Sequence, residues 1–107
     1  MISEIELVDA IASLDAATLQ RWIDQGFVLP QLDDESARFD SADVARVHLI
    51  CELHYELHIE EDSLPVVLSL LDQLYATRRS LGTLLAAVEA EPEDSRARIA
   101  AFVDHRR

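Results

Sequence analysis

The second half of the chain carries an apolar repeat that few folds can accommodate. From Val67 to Val88 the repeated positions alternate at spacings of four and three, the pattern of a coiled-coil seam. About three repeats are short for a coiled coil that stands alone. The seam must therefore pair with a second chain or fold back on its own domain. Because 107 residues supply little core, we expect a homodimer, and the interface residues we expect are Val67, Leu71, Leu74, Arg78, Leu81 and Leu85.

The first sixty residues predict three shorter helices. The spacing of Leu7, Ile11 and Leu14 indicates a helix from about residue 6 to 14. A second helix should run from about 16 to 25, with Asp15 as its N-cap and Gly26 as its left-handed C-terminal residue. A third should be capped by Asp40 or Ser41 and carry a wide inward stripe that ends at Leu57.

The segment between the second and third predicted helices is polar and acidic. Residues 31–38 should form a loop or a small hairpin that returns at Phe39. No strand pattern appears elsewhere, so we expect an all-α fold with at most a small two-stranded wing. An acidic break at residues 60–63 precedes Pro65, which a helix tolerates only in its first turn. The expected division is therefore 1–62 and 63–107, packed as one compact unit, with a last short helix after residues 91–94.

The net charge of the chain indicates which classes of partner it can bind. Twenty-one acids face nine bases, and the formal net charge is −12. Residues 1–60 hold thirteen acids and only three arginines, at positions 21, 38 and 46. Such a field repels phosphate backbones and attracts basic surfaces, so the composition does not favour binding to nucleic acid.

The order of helices and wing resembles the MerR-type winged helix-turn-helix. The local match is TLQRWIDQGFVLP at residues 18–30, followed by ARFDSADV at 37–44. The resemblance implies that Leu19 lies in the core of the second helix and that Gly26 turns the chain into the wing. DNA-reading members usually carry Arg after that leucine and a basic wing, whereas this chain has Gln20 and the acidic run 33–35.

Over nearly its whole length the chain also resembles the CbpM chaperone-modulator family, in which the helix-turn-helix is degenerate. The resemblance extends over LHYEL at 53–57, LPVVLSLLDQL at 64–74 and RARIAAFVDH at 96–105. It implies binding to the J-domain of a CbpA-type co-chaperone, with inhibition of its Hsp70-stimulating and DNA-binding activities. The alternative is a MerR-family transcription regulator that binds DNA, and a third reading is a metal-responsive form of that regulator.

An acidic face at the end of the third helix is the expected partner-binding surface. Acids there are interrupted by one aromatic residue, Tyr55, which could anchor a partner amid charge. The same pattern is also that of an ordinary solvated face. The expected surface consists of Glu52, Tyr55, Glu56, Glu60, Glu61 and Asp62, and an alternative acidic surface consists of Asp24, Asp33, Asp34 and Glu35.

A metal site and an enzymatic site are not expected. His48, Cys51, His54 and His58 share one helix, and a straight helix cannot surround a zinc ion with its own ligands. With two glycines and no phosphate-cradling loop, we expect neither catalysis nor a cofactor. One cysteine, no signal-peptide pattern and no apolar run of membrane-spanning length predict a cytoplasmic protein.

Overall fold

The computed structural model describes residues 1–106, and helices dominate it. The elements in chain order are β1 (Ile2–Ser3), α1 (Glu4–Ala10), α2 (Ala16–Asp24), β2 (Gln31–Asp33), β3 (Ser36–Phe39), α3 (Ser41–Cys51), α4 (Leu64–Glu89) and α5 (Glu93–Arg106). A π-helical turn, Glu52–Glu56, continues α3, and a 3₁₀ turn, Glu61–Ser63, leads into α4. The predicted fold class, a winged helix-turn-helix followed by a long C-terminal helix, is confirmed.

Short-range side-chain caps fix where the first helices begin. Ser3 and Glu6 form a reciprocal capping box at α1. The carboxylate of Asp15 accepts from the backbone N–H of Thr18 at 2.7 Å and starts α2. Gly26 follows α2 with φ of 79°, a left-handed conformation that glycine adopts without steric cost. The predicted N-cap and C-terminal glycine of the second helix are therefore confirmed.

The wing is a three-stranded antiparallel sheet in the order β1-β3-β2. Leu32 pairs with Ala37 in the hairpin, and Ile2 pairs with Phe39 on the other side of β3. The prediction of at most two strands was wrong by one strand. A strand of two residues is too short to produce an alternating pattern, and it forms here because Phe39, 1% exposed, holds β3 against the core.

The third helix is α3, which begins at a capping box between Asp40 and Asp43. Beyond Cys51 its hydrogen bonds change: the N–H of Leu57 donates to the carbonyl of Glu52, five residues back. Such a π turn is wider than an α-helical turn. The residues after it are displaced from the expected face, so Leu57 is 65% exposed and the predicted inward stripe ends earlier.

One apolar core joins α1, α2, β3 and α3. Its largest fully buried side chains include one indole, from the only tryptophan of the chain. They are Trp22, Phe39, Leu7, Leu19, Ile50, Leu64, Val28 and Val47. This core holds the helix-turn-helix and the wing in a fixed arrangement.

Contacts divide the chain into two compact units, Met1–Leu68 and a second that begins at Ser69. The boundary lies inside α4, beyond the predicted 62/63 division, because Leu64 and Leu68 are buried. How the two regions pack together stays a prediction. Pro65 occupies the second position of α4, where a missing N–H costs nothing. Within residues 1–106, no helix has both the length and the apolar character that crossing a membrane requires.

Candidate functional site

The exposed side of α2 is the surface that a helix-turn-helix protein uses to read DNA, since the second helix of this motif enters the major groove. Leu19 and Trp22 are fully buried and fix the orientation of α2. Gln20 lies on the outer side and donates to Asp24 at 3.0 Å. Arg21 is the only base of α2. The electrostatic character of this surface therefore depends on what Arg21 contacts.

Arg21 is held by Glu61 through a two-pronged ion pair. Its Nε donates to Oε2 of Glu61 at 2.8 Å, and its Nη2 donates to Oε1 at 2.8 Å. The indole Nε1 of Trp22 donates to the same Oε1 at 2.9 Å. One carboxylate thus neutralises the base of α2, satisfies the buried indole, and ties the 3₁₀ turn before α4 to the helix-turn-helix.

The ion pair changes the acidity of Glu61. The hydrogen bonds from Arg21, aided by that from Trp22, hold the pKa of the Glu61 carboxyl below its ordinary value, although partial burial opposes this shift. Stability from this contact is therefore present above the ordinary pKa of a glutamate. It is lost as the pH falls through the lowered pKa of the folded state.

The predicted partner-binding surface at the end of α3 is only partly available. Glu52, Glu56, Glu60 and Asp62 are exposed, whereas the carboxylate of Glu61 is turned to Arg21 and Trp22. This contact could not be predicted from sequence spacing because its partners are 40 residues apart. The sequence did contain one signal for this contact. A tryptophan on the inward side of a helix needs an acceptor for its indole N–H, and it stands beside the only base of that helix.

The ring of Tyr55 lies beside other rings and is not exposed among the acids. Its ring lies 6.3 Å from that of Trp22 and 4.9 Å from that of His54, measured between centroids. Burial raises the pKa of the Tyr55 hydroxyl. The π turn carries this half-buried ring toward α2, so Tyr55 closes the core more than it projects toward a partner.

The four residues considered for metal binding do not converge. Cys51 is buried, and burial raises the pKa of its thiol. His54 is half-buried, and its Nδ1 lies 2.8 Å from the carbonyl oxygen of Ile59, while His48 and His58 are exposed. Across residues 1–106, no three His, Cys, Asp or Glu side chains are grouped as metal ligands.

The acidic turn of the wing has an unusual backbone. Asp34 and Glu35 connect β2 to β3 with φ of 48° and 66°. Two consecutive positive φ values are typical of a type I′ hairpin turn, which favours Asn-Gly. This turn places Asp33, Asp34 and Glu35 in solvent, as the alternative acidic surface predicted.

Replacing Glu35 with glycine should stabilise the protein by about 1 kcal/mol, since a side chain in the left-handed region costs roughly that much. Urea denaturation measures the effect. Glu35→Ala removes the same charge and keeps the Cβ, so it is the matched control and should show no gain. Equal stability of the two variants would mean that the turn is not strained.

The predicted dimer residues all lie on α4; they are half-buried near its start and exposed farther along. Val67 and Leu71 are half-buried. Leu74, Leu81 and Leu85 are 44%, 54% and 52% exposed, and Arg78 is also exposed. The described chain therefore leaves this apolar seam largely uncovered.

The helix-turn-helix half of the chain matches a protein-family model. The family model described as MerR HTH family regulatory protein matches residues 4–58, slightly more than half of the chain. These residues contain the helix-turn-helix, the β2–β3 hairpin of the wing and α3 with its π turn. No curated protein and no solved structure matches the chain.

Proposed function

Because the chain belongs to the MerR HTH family of regulatory proteins, we propose that it is a regulator whose target is a basic protein surface rather than DNA. The main observation that supports this proposal is the ion pair between Arg21 and Glu61. Contacts from Lys and Arg to phosphates supply most of the affinity of proteins for DNA. Here the single base of α2 already has an internal carboxylate partner, and a second base, Arg46, donates to the backbone carbonyl of Phe27.

The proposed target is the J-domain of a CbpA-type co-chaperone, in keeping with the resemblance of the chain to CbpM. A protein with a net charge of −12 can compete for a basic surface by charge complementarity, which mainly raises the association rate and the specificity. In this role the chain catalyses nothing and needs no cofactor. It acts in the cytoplasm by occupying the J-domain surface that Hsp70 would use.

The competing function is transcription regulation by DNA binding. The family match and the helix-turn-helix are equally compatible with it. Arg38 is half-buried in β3 of the wing, and in this reading it would have to contact phosphate beside the acidic turn. Binding to duplex DNA distinguishes the two functions, because only the transcription regulator is expected to bind it.

We also propose that two copies pair through the seam of α4. α4 leaves leucines exposed both on the seam and beside it, at Leu70 and Leu84. Exposed leucines at seam spacing are expected where a partner helix removes them from water. The pairing would supply the apolar burial that a chain of this size has difficulty supplying alone.

Calorimetric titration of the protein against the isolated J-domain of a CbpA-type co-chaperone tests the proposed function. We expect binding that is micromolar or tighter and that weakens when salt is raised, because complementary charges are screened. A parallel titration with duplex DNA should give no heat. Heat with DNA and none with the J-domain would replace the proposal with transcription regulation.

Charge reversal at the end of α3 tests the electrostatic part of the proposal. The double change Glu52→Lys and Glu56→Lys should slow association with the J-domain by roughly threefold to tenfold and reduce its salt dependence. Both side chains are exposed, so the fold should be retained, as circular dichroism can verify. Stopped-flow kinetics measures the rate, and an unchanged rate would remove this face from the proposed partner surface.

A further inference from the structure

Two neighbouring clefts meet at Ile5 on α1. One, of about 170 Å³, is lined by Ile5, Val8 and Ala16 with two acids. The other, of about 260 Å³, lies toward the wing and is lined by Ile5 and Ala37 together with polar residues. Ile5 is 76% exposed. An apolar side chain of this size that lines two clefts and faces water is a typical anchor point for a partner.

Acidic side chains rim both clefts. Glu4 lines both of them, Asp9 lines the first and Glu35 lines the second. Residues 1–38 contain eight acids and two bases. Arg21 is already paired with Glu61, and Arg38 is half-buried in β3, opposite Ser3. The three acids lie beside the apolar side chains of Ile5 and Val8. This arrangement is complementary to a segment that has apolar side chains on one face and Lys or Arg beside them.

We propose that the clefts around Ile5 dock a basic amphipathic helix of the partner. Its apolar side chains would lie against Ile5 and Val8, and its basic side chains would reach Glu4, Asp9 and Glu35. This inference rests on the proposed function and deepens it by assigning the apolar contact with the J-domain to α1 and the wing. Glu52 and Glu56 then act through the long-range field, and Ile5 determines how long the complex lasts.

The chain offers a matched control for Ile5. Leu29 is also 76% exposed and lines neither cleft. Ile5→Ser should weaken binding to the J-domain by about tenfold to a hundredfold, mostly by faster dissociation, since one buried aliphatic side chain contributes that much. Leu29→Ser should change the affinity by less than about twofold.

The test combines these variants with nuclear magnetic resonance on the full ¹⁵N-labelled chain. Two probes are titrated separately: the isolated J-domain and a synthetic leucine–lysine amphipathic peptide. We expect both probes to shift the backbone amides of Glu4–Ala10 and Ser36–Phe39, and Ile5→Ser to weaken both. Circular dichroism confirms that each variant is folded.

The outcomes separate the cleft from the proposed function. If the J-domain binds but Ile5→Ser behaves like Leu29→Ser, the cleft is overturned and the proposed function stands. If only the peptide binds, at α1 and β3, the cleft is supported and the J-domain is not the partner. If neither probe shifts these amides, the inference about the cleft is wrong.

Discussion

Glu61→Ala should lower the free energy of unfolding by about 2 kcal/mol, because the substitution leaves the indole N–H of buried Trp22 without its acceptor. The indole donates to Glu61 at 2.9 Å, and Trp22 is fully buried. The Glu61 side chain is 24% exposed, so water replaces the lost acceptor only in part and the indole keeps a share of the cost of an unmade hydrogen bond. The ion pair with Arg21 adds less, since the Arg21 side chain is 47% exposed and screened by solvent.

The size of this effect makes it measurable by two methods. For a chain of about a hundred residues, 2 kcal/mol corresponds to a fall in Tm of roughly 10 °C. Trp22 is the only tryptophan, so its fluorescence during urea denaturation reports directly on the altered site. Glu60→Ala is the control, since Glu60 is exposed and adjacent in sequence, and it should change the stability by less than about 0.5 kcal/mol.

Glu61→Gln separates the hydrogen bond from the charge. The amide oxygen can still accept from the indole, whereas the charged pair with Arg21 is lost. We expect a loss clearly smaller than that of Glu61→Ala at neutral pH, because the indole keeps its acceptor and the exposed ion pair contributes little. Because the folded-state pKa of Glu61 is lowered, wild-type stability falls as that carboxyl is protonated. The gap between wild type and Glu61→Gln should therefore close in acid, and a gap that is independent of pH would contradict the assigned ion pair.

Local chemistry explains what could be predicted from the sequence. Asp15, Gly26 and Asp40 mark helix ends through contacts within a few residues, and these contacts depend little on the rest of the fold. The long helix α4 followed from the spacing of its apolar residues alone. Each of these features can be recognised within a window of a few helical turns.

The features that were missed depend on distant parts of the chain. The contact of Glu61 with Arg21 joins residues 40 apart, and β1 forms only when Ile2 meets Phe39. The residues of the π turn after Cys51 keep a helical pattern in the sequence. The wider turn nevertheless rotates the side chains that follow it away from the helix face on which they were expected. Tyr55 and Glu61 therefore contact other parts of the chain, while the other four residues of the predicted partner surface are exposed. Whether this surface binds a partner stays a prediction.

Ile5 shows a further limit of prediction from the sequence. The acidic wing was recognisable as a charged surface, but its relation to α1 depends on the fold. Glu35 and Ile5 line the same cleft although thirty positions separate them. A binding surface that combines charge with an apolar anchor therefore became visible only once β3 was placed beside α1.

Leu81→Glu should convert the proposed dimer into a monomer. Leu81 lies on the seam of α4 and is 54% exposed in the single chain, so the substitution should cost the monomer little. In a dimer the same carboxylate would be buried without a partner, a penalty of about 3 kcal/mol or more, which corresponds to a dissociation constant raised at least about a hundredfold. Sedimentation equilibrium over a range of protein concentrations measures this constant.

Ala76→Glu is the matched control for the dimer. It adds the same charge to the same helix at an exposed position outside the seam, and alanine and glutamate both favour helix formation. The control should remain dimeric at concentrations where Leu81→Glu is monomeric. A monomeric wild type would refute pairing through the seam, and a dimeric Leu81→Glu variant would place the interface elsewhere. If the control dissociates as well, charge repulsion between two acidic chains, rather than packing at the seam, controls assembly.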